Sequence, residues 1–289
     1  MKCLITGGSG FLGSHIADEL TRRGYKVTIF DNIRSKWVSK NQKMVVGDLL
    51  KSKSLKNLVR RNKIIFHFAA LADLDKALHN PIDTVKYNVL ATVKLLNLCV
   101  KYNVKRFIFA STIYANSNEG GFYKSSKRAA EDYIEEFSKL YKLKYTILRY
   151  GSLFGLRSDF NNGVRRIIEY ALKEKKVCYY GSKETSRNYI HVADAARLSV
   201  DVLKNNFINK NVVIMGKKKI KITELLKIIK KYLQINKLIT FKEKKLIGHY
   251  INSPSLYKFK KEIKIYPKEN YSFNERLTDL INSLNSIKK

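Results

Sequence analysis

The chain's chemistry starts at Tyr123 and Lys127, which bracket the run Tyr123-Lys124-Ser125-Ser126-Lys127. On a helix that spacing puts both side chains on one face. A phenol titrates at about 10 in water, and a fixed ammonium beside it favours the phenolate, which suits Tyr123 to general-base work. Such pairs recur by accident in a chain this rich in lysine and tyrosine, so position decides. This one follows an apolar β-type run at residues 106–110, directly after which stand Ser111 and Thr112. A hydroxyl there can hold a reacting oxygen beside the phenol.

A second group lies at the start of the chain. Thr6-Gly7-Gly8-Ser9-Gly10-Phe11-Leu12-Gly13 falls between an apolar run at 2–6 and a helical pattern at 15–23. Gly7 and Gly10 permit a tight turn, the backbone through Phe11 and Leu12 opens a helix whose free N–H groups attract a pyrophosphate, and Gly13 lets that helix approach the strand. The next apolar run ends in Asp31, 18 residues after Gly13. A carboxylate there accepts hydrogen bonds from an adenosine ribose and repels a 2′-phosphate, which favours NAD over NADP. Arg34, close by, pulls the other way, since an arginine in this loop can meet the 2′-phosphate.

These residues need a frame that brings strand ends together. Short β-rich runs at 2–6, 26–30, 44–46, 64–68, 106–110 and 145–149 alternate with helical patterns at 15–23, 53–60, 82–101 and 122–141, the signature of βαβ units. The expected fold is α/β, a doubly wound parallel sheet of the Rossmann type, with a smaller, partly interleaved C-terminal substrate lobe. Residues 1–150 form the dinucleotide-binding domain, with 188–215 returning to it, and 151–187 with 216–289 form the substrate lobe. The tail from residue 237 is lysine-rich and weakly patterned, with a closing helix expected at 274–284.

Composition narrows the function classes. With 289 residues, 45% hydrophobic and 3 prolines, the chain is an enzyme-sized globular protein rather than a disordered or collagen-like one. Its net charge of +33 is spread over both halves and comes from 43 lysines against 14 arginines, so it marks residue usage rather than a specific nucleic-acid reader. No apolar run reaches a membrane span, and three widely separated cysteines form neither a metal motif nor a disulfide framework. A reduced, cytoplasmic protein without a metal site is expected.

The glycine turn with Asp31-Asn32, continued by Gly47-Asp48-Leu49, Phe66-His67-Phe68-Ala69-Ala70, Asn80-Pro81, Asn88 and the Tyr123…Lys127 pair, resembles the extended short-chain dehydrogenase/reductase family. Its members include NAD-dependent sugar-nucleotide epimerases and dehydratases. The resemblance covers residues 2–235. It implies that Asp48 and Leu49 flank the adenine, that Ala69 and Ala70 line the back of the cofactor, and that Asn88 supports the active-site geometry. Tyr123 moves the proton, while Lys127 holds the nicotinamide ribose and lowers the Tyr123 pKa. Ungapped extension of the 107–110 run puts Thr112 on the catalytic hydroxyl position; counting back from Tyr114 instead reaches Ala110, which has no hydroxyl. Thr112 is taken as catalytic, with Ser111 as the neighbouring candidate for substrate contact.

Further on, Ser152 in Tyr150-Gly151-Ser152-Leu153-Phe154-Gly155 is a modest cofactor candidate by this resemblance. Arg187-Asn188-Tyr189-Ile190-His191-Val192-Ala193-Asp194 resembles the segment whose arginine carries a nucleotide phosphate, with His191 and Asp194 structural. A second phosphate arginine is not evident, and Lys258, Lys260 or Lys261 would have to replace it. The chain departs from the family where it matters for chemistry. Only 11 positions separate Thr112 from Tyr123, and the dehydratases' acid/base pair after the hydroxyl is replaced by Ile113 and Tyr114.

What remains is removal and return of hydride at C4, hence an NAD-dependent nucleotide-sugar epimerase acting through a transient 4-keto sugar. A reductase of 4-keto nucleotide sugars using NAD(P)H is the alternative, and a non-catalytic dinucleotide-sensing or polyanion-binding protein is the alternative from another class. The resemblance also implies a homodimer formed by the helices at 82–101 and 122–141.

Overall fold

Runs such as Cys3-Leu4-Ile5 and Ile64-Ile65-Phe66 are buried throughout, the condition imposed on parallel strands covered by helices on both faces. The computed structural model describes residues 1–242, 249, 251–252, 262–268 and 272–286. The chain begins β1 (Lys2–Thr6), α1 (Phe11–Arg22), β2 (Lys26–Asp31), β3 (Gln42–Val46), α2 (Ser54–Arg61) and β4 (Ile64–His67). Next come α3 (Leu74–His79), α4 (Pro81–Thr84), a π-helical turn Val85–Leu90, and α5 (Ala91–Lys101). β5 (Arg106–Thr112), a 3-10 turn Ile113–Asn116, α6 (Gly121–Tyr141) and β6 (Tyr145–Tyr150) complete the first half.

The second half runs β7 (Ser152–Phe154), α7 (Gly163–Glu174), β8 (Cys178–Tyr180), β9 (Ser186–Arg187), β10 (Tyr189–His191), α8 (Val192–Asp201) and β11 (Lys210–Ile214). It closes with β12 (Ile220–Lys221), α9 (Ile222–Tyr232), β13 (Thr240–Lys242), β14 (Glu262–Ile265) and α10 (Phe273–Ser286). Eight strands form one sheet in the order β14-β11-β6-β5-β4-β1-β2-β3, and every pairing in it is parallel. The order reverses at β1, so a crevice opens beyond its C-terminal end, where doubly wound sheets bind ligands.

Two apolar layers sandwich the sheet. Ile16 and Leu20 of α1 and Val200 of α8 pack with Cys3, Ile5 and Ile108 on one face. Leu55 of α2, Leu95 of α5 and Ile134 of α6 pack with Leu4, Phe107 and Phe109 on the other. The alternation of a strand then sorts the end of β5. Ala110 and Thr112 follow Ile108 to the α1 face, and Ser111 follows Phe109 to the α6 face. A third cluster, with Ile168 of α7, Leu226 of α9 and Leu280 of α10, makes the core of the smaller lobe. Among the described residues no helix is long and apolar enough to cross a membrane.

Three expectations change. The helix expected at 82–101 is broken by the π-turn that contains Asn88. β5 runs two residues further than the apolar pattern, through Ser111 and Thr112, because Thr112 still pairs with Tyr150 of β6. The tail does not lie wholly in the substrate lobe: Glu262–Ile265 pairs with β11 and becomes the edge strand of the main sheet. That pairing depends on a neighbour fifty residues upstream, which a short strand pattern does not reveal.

Candidate active site

The glycine turn is shaped by close approach. Gly7 sits at φ +76°, and a Cβ there would lie 2.3 Å from Ala69 N; a Cβ on Gly13 would lie 2.2 Å from Gly7 O. Only glycine permits that left-handed backbone and that contact at once. Gly10 caps α1 in an extended conformation and no side chain caps the helix start, an arrangement whose unpaired backbone N–H groups can bind an anion. Asp31 ends β2 with its carboxylate oriented by two backbone donors, Ser9 N at 2.9 Å on Oδ2 and Ile33 N at 3.2 Å on Oδ1. Ser9 Oγ donates to Ile33 O at 2.7 Å and ties the two loops together. A glycine cradle, an uncapped helix start and an oriented carboxylate fit a dinucleotide.

The other residues expected at this end are less engaged. Asn32 and Arg34 are exposed beside Asp31. Asp48 turns its carboxylate onto Leu50 N at 2.7 Å. Leu49 lines a groove of about 450 Å³ with Leu55, Lys94 and Leu98. Ala69 backs the glycine turn through its own backbone, and Ala70 follows it, half-buried.

At the catalytic turn Tyr123 is half-buried at the start of α6 and Lys127 is 3% exposed one turn later. The Lys127 ammonium donates to Ala110 O at 2.8 Å and lies 4.7 Å from the Phe109 ring centroid and 5.9 Å from that of Tyr123. Burial pulls Lys127 down to about 7, against the attraction of Glu131. The Tyr123 phenol is raised, not lowered: burial pushes it up, and the Lys127 ammonium is spent on a carbonyl.

Thr112 and Ser111 separate as the strand dictates. Thr112 is 6% exposed, and its Oγ1 accepts from Tyr114 N at 3.2 Å. Ser111 donates its hydroxyl to Glu131, which ties that side chain into the support of α6. Asn88 is fully occupied: it accepts from Leu71 N at 2.7 Å and donates to Leu71 O at 3.1 Å and to Ser126 Oγ at 2.9 Å. Ile113 is buried against Val213, with Tyr114 and Met215 packed around them. Neither position, 113 or 114, carries a carboxylic acid.

Arg187, on β9, donates from Nη1 to Ser186 O at 3.2 Å and to Ile251 O at 2.9 Å. His191 accepts from Ala193 N as the cap of α8, and burial lowers it to about 4. Asp194 is 7% exposed and pairs with Arg197 at 2.8 Å. Lys258, Lys260 and Lys261 lie outside the described residues. Among the described residues no group of three His, Cys, Asp or Glu side chains could hold a metal ion, and all three cysteines are free and buried.

Several supporting residues carried no functional assignment in the sequence. Glu131 on α6 pairs with Arg149 of β6, Nε to Oε1 at 3.0 Å, and Arg149 also pairs with Glu262 of β14. Asn116, in the short loop after Thr112, donates to Glu262 Oε1 at 2.9 Å. Glu131 was findable, since it extends the Tyr123, Lys127 series by another four residues. Glu262 carried no local signal at all.

Comparison with known proteins agrees with this geometry. The family described as "NAD dependent epimerase/dehydratase family" matches residues 3–216. A Methanocaldococcus jannaschii protein provisionally named UDP-glucose 4-epimerase is 30% identical over 249 residues, covering 78% of this chain and 81% of the relative. A Bacillus cytotoxicus protein named UDP-N-acetyl-alpha-D-glucosaminuronate decarboxylase is 28% identical over 241 residues, 74% of each chain. Of the solved structures, UDP-glucose 4-epimerase of Thermotoga maritima with UDP-glucose superposes with a TM-score of 0.88 at 25% identity over the whole of both chains. The UDP-N-acetylglucosamine 4-epimerase of Methanobrevibacter ruminantium, in complex with UDP-N-acetylmuramic acid, gives 0.86 at 26% identity, covering 99% of this chain and 98% of that one. The matched span runs from β1 through β11 and takes in the glycine turn and the Tyr123–Lys127 pair alike, so the chain belongs to the NAD-dependent epimerase/dehydratase family.

Proposed function

We propose that this protein is an NAD-dependent nucleotide-sugar 4-epimerase. One observation supports the reading: the Thr112 hydroxyl at the end of β5, with the Tyr123 phenol and the Lys127 ammonium at the start of α6, lies at the same end of the parallel sheet as the glycine turn after β1, and the residues after the hydroxyl, Ile113 and Tyr114, are not carboxylic acids. Water elimination needs a further acid/base pair, and neither residue after the hydroxyl is a carboxylic acid; oxidation and re-reduction at one carbon need no such pair.

In this reading Gly7, Gly10, Phe11, Leu12 and Gly13 hold the pyrophosphate, Asp31 holds the adenosine ribose, and Lys127 exchanges its bond to Ala110 O for the nicotinamide ribose. Bound NAD supplies a two-electron acceptor regenerated within each turnover and a positive charge beside the phenol, which favours the phenolate. Tyr123 accepts the proton of the sugar C4 hydroxyl and later returns it. Thr112 hydrogen-bonds the same oxygen and stabilises its developing charge. Arg187 exchanges backbone carbonyls for a substrate phosphate, a stronger charge-assisted partner.

Two further features support the setting. Phe122, Tyr133 and Leu140 form an exposed apolar stripe along α6, and Ile82, Val85 and Leu90 are exposed on the neighbouring segment. A second copy of the chain covering both helices would bury them, which is the homodimer this reading expects. The free, buried thiols suit a reducing cytoplasm.

The test is turnover without an added redox partner. Purified protein should release NAD on denaturation and convert a UDP-hexose or UDP-N-acetylhexosamine to its 4-epimer, read by NMR of the sugar protons. Protein free of cofactor that consumes NADPH in stoichiometric amounts on a 4-keto sugar would instead make it a reductase. Tyr123→Phe should cut kcat by roughly 10²- to 10⁴-fold while NAD still co-purifies.

A further inference from the structure

A row of buried polar side chains outside the chemistry just described runs from β1 to the catalytic turn. Thr6 Oγ1 lies 2.7 Å from His67 Nδ1, and His67 Nε2 lies 2.9 Å from Thr92 Oγ1. Thr92 Oγ1 donates to Asn88 O at 2.7 Å, Asn88 Nδ2 donates to Ser126 Oγ at 2.9 Å, and Ser126 Oγ donates to Tyr123 O at 2.8 Å. Thr6, His67, Thr92, Asn88 and Ser126 are each at most 4% exposed.

Counting protons fixes the direction of the row. The single Thr92 hydroxyl proton goes to Asn88 O, so the Thr92 oxygen must accept from His67 Nε2–H. His67 Nδ1 then carries the lone pair that accepts from the Thr6 hydroxyl. Burial, with the Lys127 charge adding to it, lowers His67 to about 3, so the ring stays neutral and keeps this tautomer. The row also crosses an unusual piece of backbone. Asn88 sits in the π-turn Val85–Leu90, a conformation that is rare within helices and that needs outside support. Thr92 supplies that support from the following turn, and His67 ties Thr92 to the sheet.

We infer that His67 and Thr92 are positioning residues for the reaction: they hold the π-turn so that Asn88, through Ser126, keeps the Tyr123–Lys127 turn in register with the end of β5. The inference rests on the reading of Tyr123 as the proton-transfer group. A purely structural role would lower stability without separating kcat from KM, and without marking this turn.

The test uses the full chain with its own bound cofactor. Thr92→Val keeps the shape and removes the hydroxyl, and Thr92→Ser restores it. Thr92→Val should lower kcat about tenfold or more, the penalty of a small displacement at a reacting centre. KM should stay unchanged, and amide exchange of the peptide spanning residues 121–130 should quicken; Thr92→Ser should restore both readouts. Ser126→Ala cuts the row at its last link, away from the π-turn, and should reproduce the kcat loss. Wild-type kcat and wild-type exchange in both Thr92→Val and Ser126→Ala overturn the inference, as does equal damage in Thr92→Ser. A wild-type protein that epimerises no nucleotide sugar, yet shows the exchange contrast between the Val and Ser variants, sinks the proposed function and leaves the positioning row standing.

Discussion

The dinucleotide turn and the catalytic turn stand at the same end of one parallel sheet but are held over different distances in the chain. At the dinucleotide turn, Ser9 bonds Asp31 and Ile33, partners at most 24 residues away, through backbone N–H groups, a hydroxyl and one partly exposed carboxylate. At the catalytic turn, Ser126 meets Asn88 from 38 residues away, Arg149 meets Glu262 from 113, and Asn116 meets Glu262 from 146. The supports there are buried ionisable groups: Arg149 pairs with both Glu131 and Glu262, and Lys127 lies one helical turn before Glu131. In the proposed function a nucleotide's own charges and hydroxyls complete the first site, so little needs to be buried in advance. The second then has to fix a proton-transfer group in place beforehand, and a buried ion-paired cluster with a neutral polar row would do so.

The largest effect should come from opening that cluster. Arg149→Met strands Glu131 and Glu262 in the interior, and breaking one side of a buried ion pair costs about 3–5 kcal/mol. Urea unfolding should show that loss, while Asp31→Asn, at the partly exposed end, should leave stability nearly unchanged and weaken NAD retention instead. Equal stability losses in the two variants would erase the contrast between the ends.

Next in size is the split between the two hydroxyls after β5. Thr112→Val should lower kcat about a hundredfold, as for loss of one donor to a developing oxyanion. Ser111→Ala should act mainly on stability, by about 1–3 kcal/mol, because it removes a buried hydrogen bond to a charged group while Glu131 Oε1 keeps Arg149 Nε. Steady-state rates with melting temperatures for both variants decide it; a catalytic loss in Ser111→Ala with Thr112→Val unaffected would reverse the assignment.

At neutral pH the smallest effect belongs to His67, and it shows only as a pH slope. Folded His67 titrates at about 3 against 6.5 for an ordinary imidazole, so between those values the unfolded chain binds a proton that the folded chain does not. Stability should therefore fall as pH drops through that window, by at most about 1.4 kcal/mol per pH unit from this group. His191, held at about 4, acts with the same sign. Unfolding midpoints at pH 7, 5 and 4 should show a shallower slope in His67→Gln; an identical slope would remove His67 from the buried row.

Much of the architecture was legible before any coordinates. The alternation of apolar runs and helical patterns placed β1, β2, β4, β5 and β6 and their crossover helices, since each run is long enough to be buried on both faces and each crossover has only one favourable hand. The glycine turn and Asp31 were legible for the same reason: their partners lie within one βαβ unit. Tyr123 and Lys127 were legible as a pair because helical spacing alone puts them on one face, although the sign of the shift at Tyr123 was not. The ammonium would lower the phenol, but burial raises it, and burial is a property of the packed molecule.

The sequence by itself determined the βαβ frame and named the candidate residues it presents, because those signals are periodicities and spacings within a few dozen residues. Only the tertiary structure decided that Thr112 and Ser111 part to opposite faces, and that a π-turn breaks the helix at Asn88. It alone revealed that Glu262, on a tail with almost no pattern, pairs with Arg149 and accepts from Asn116. Those outcomes depend on strand pairing and on where charge is desolvated, and both are settled between segments far apart in the chain.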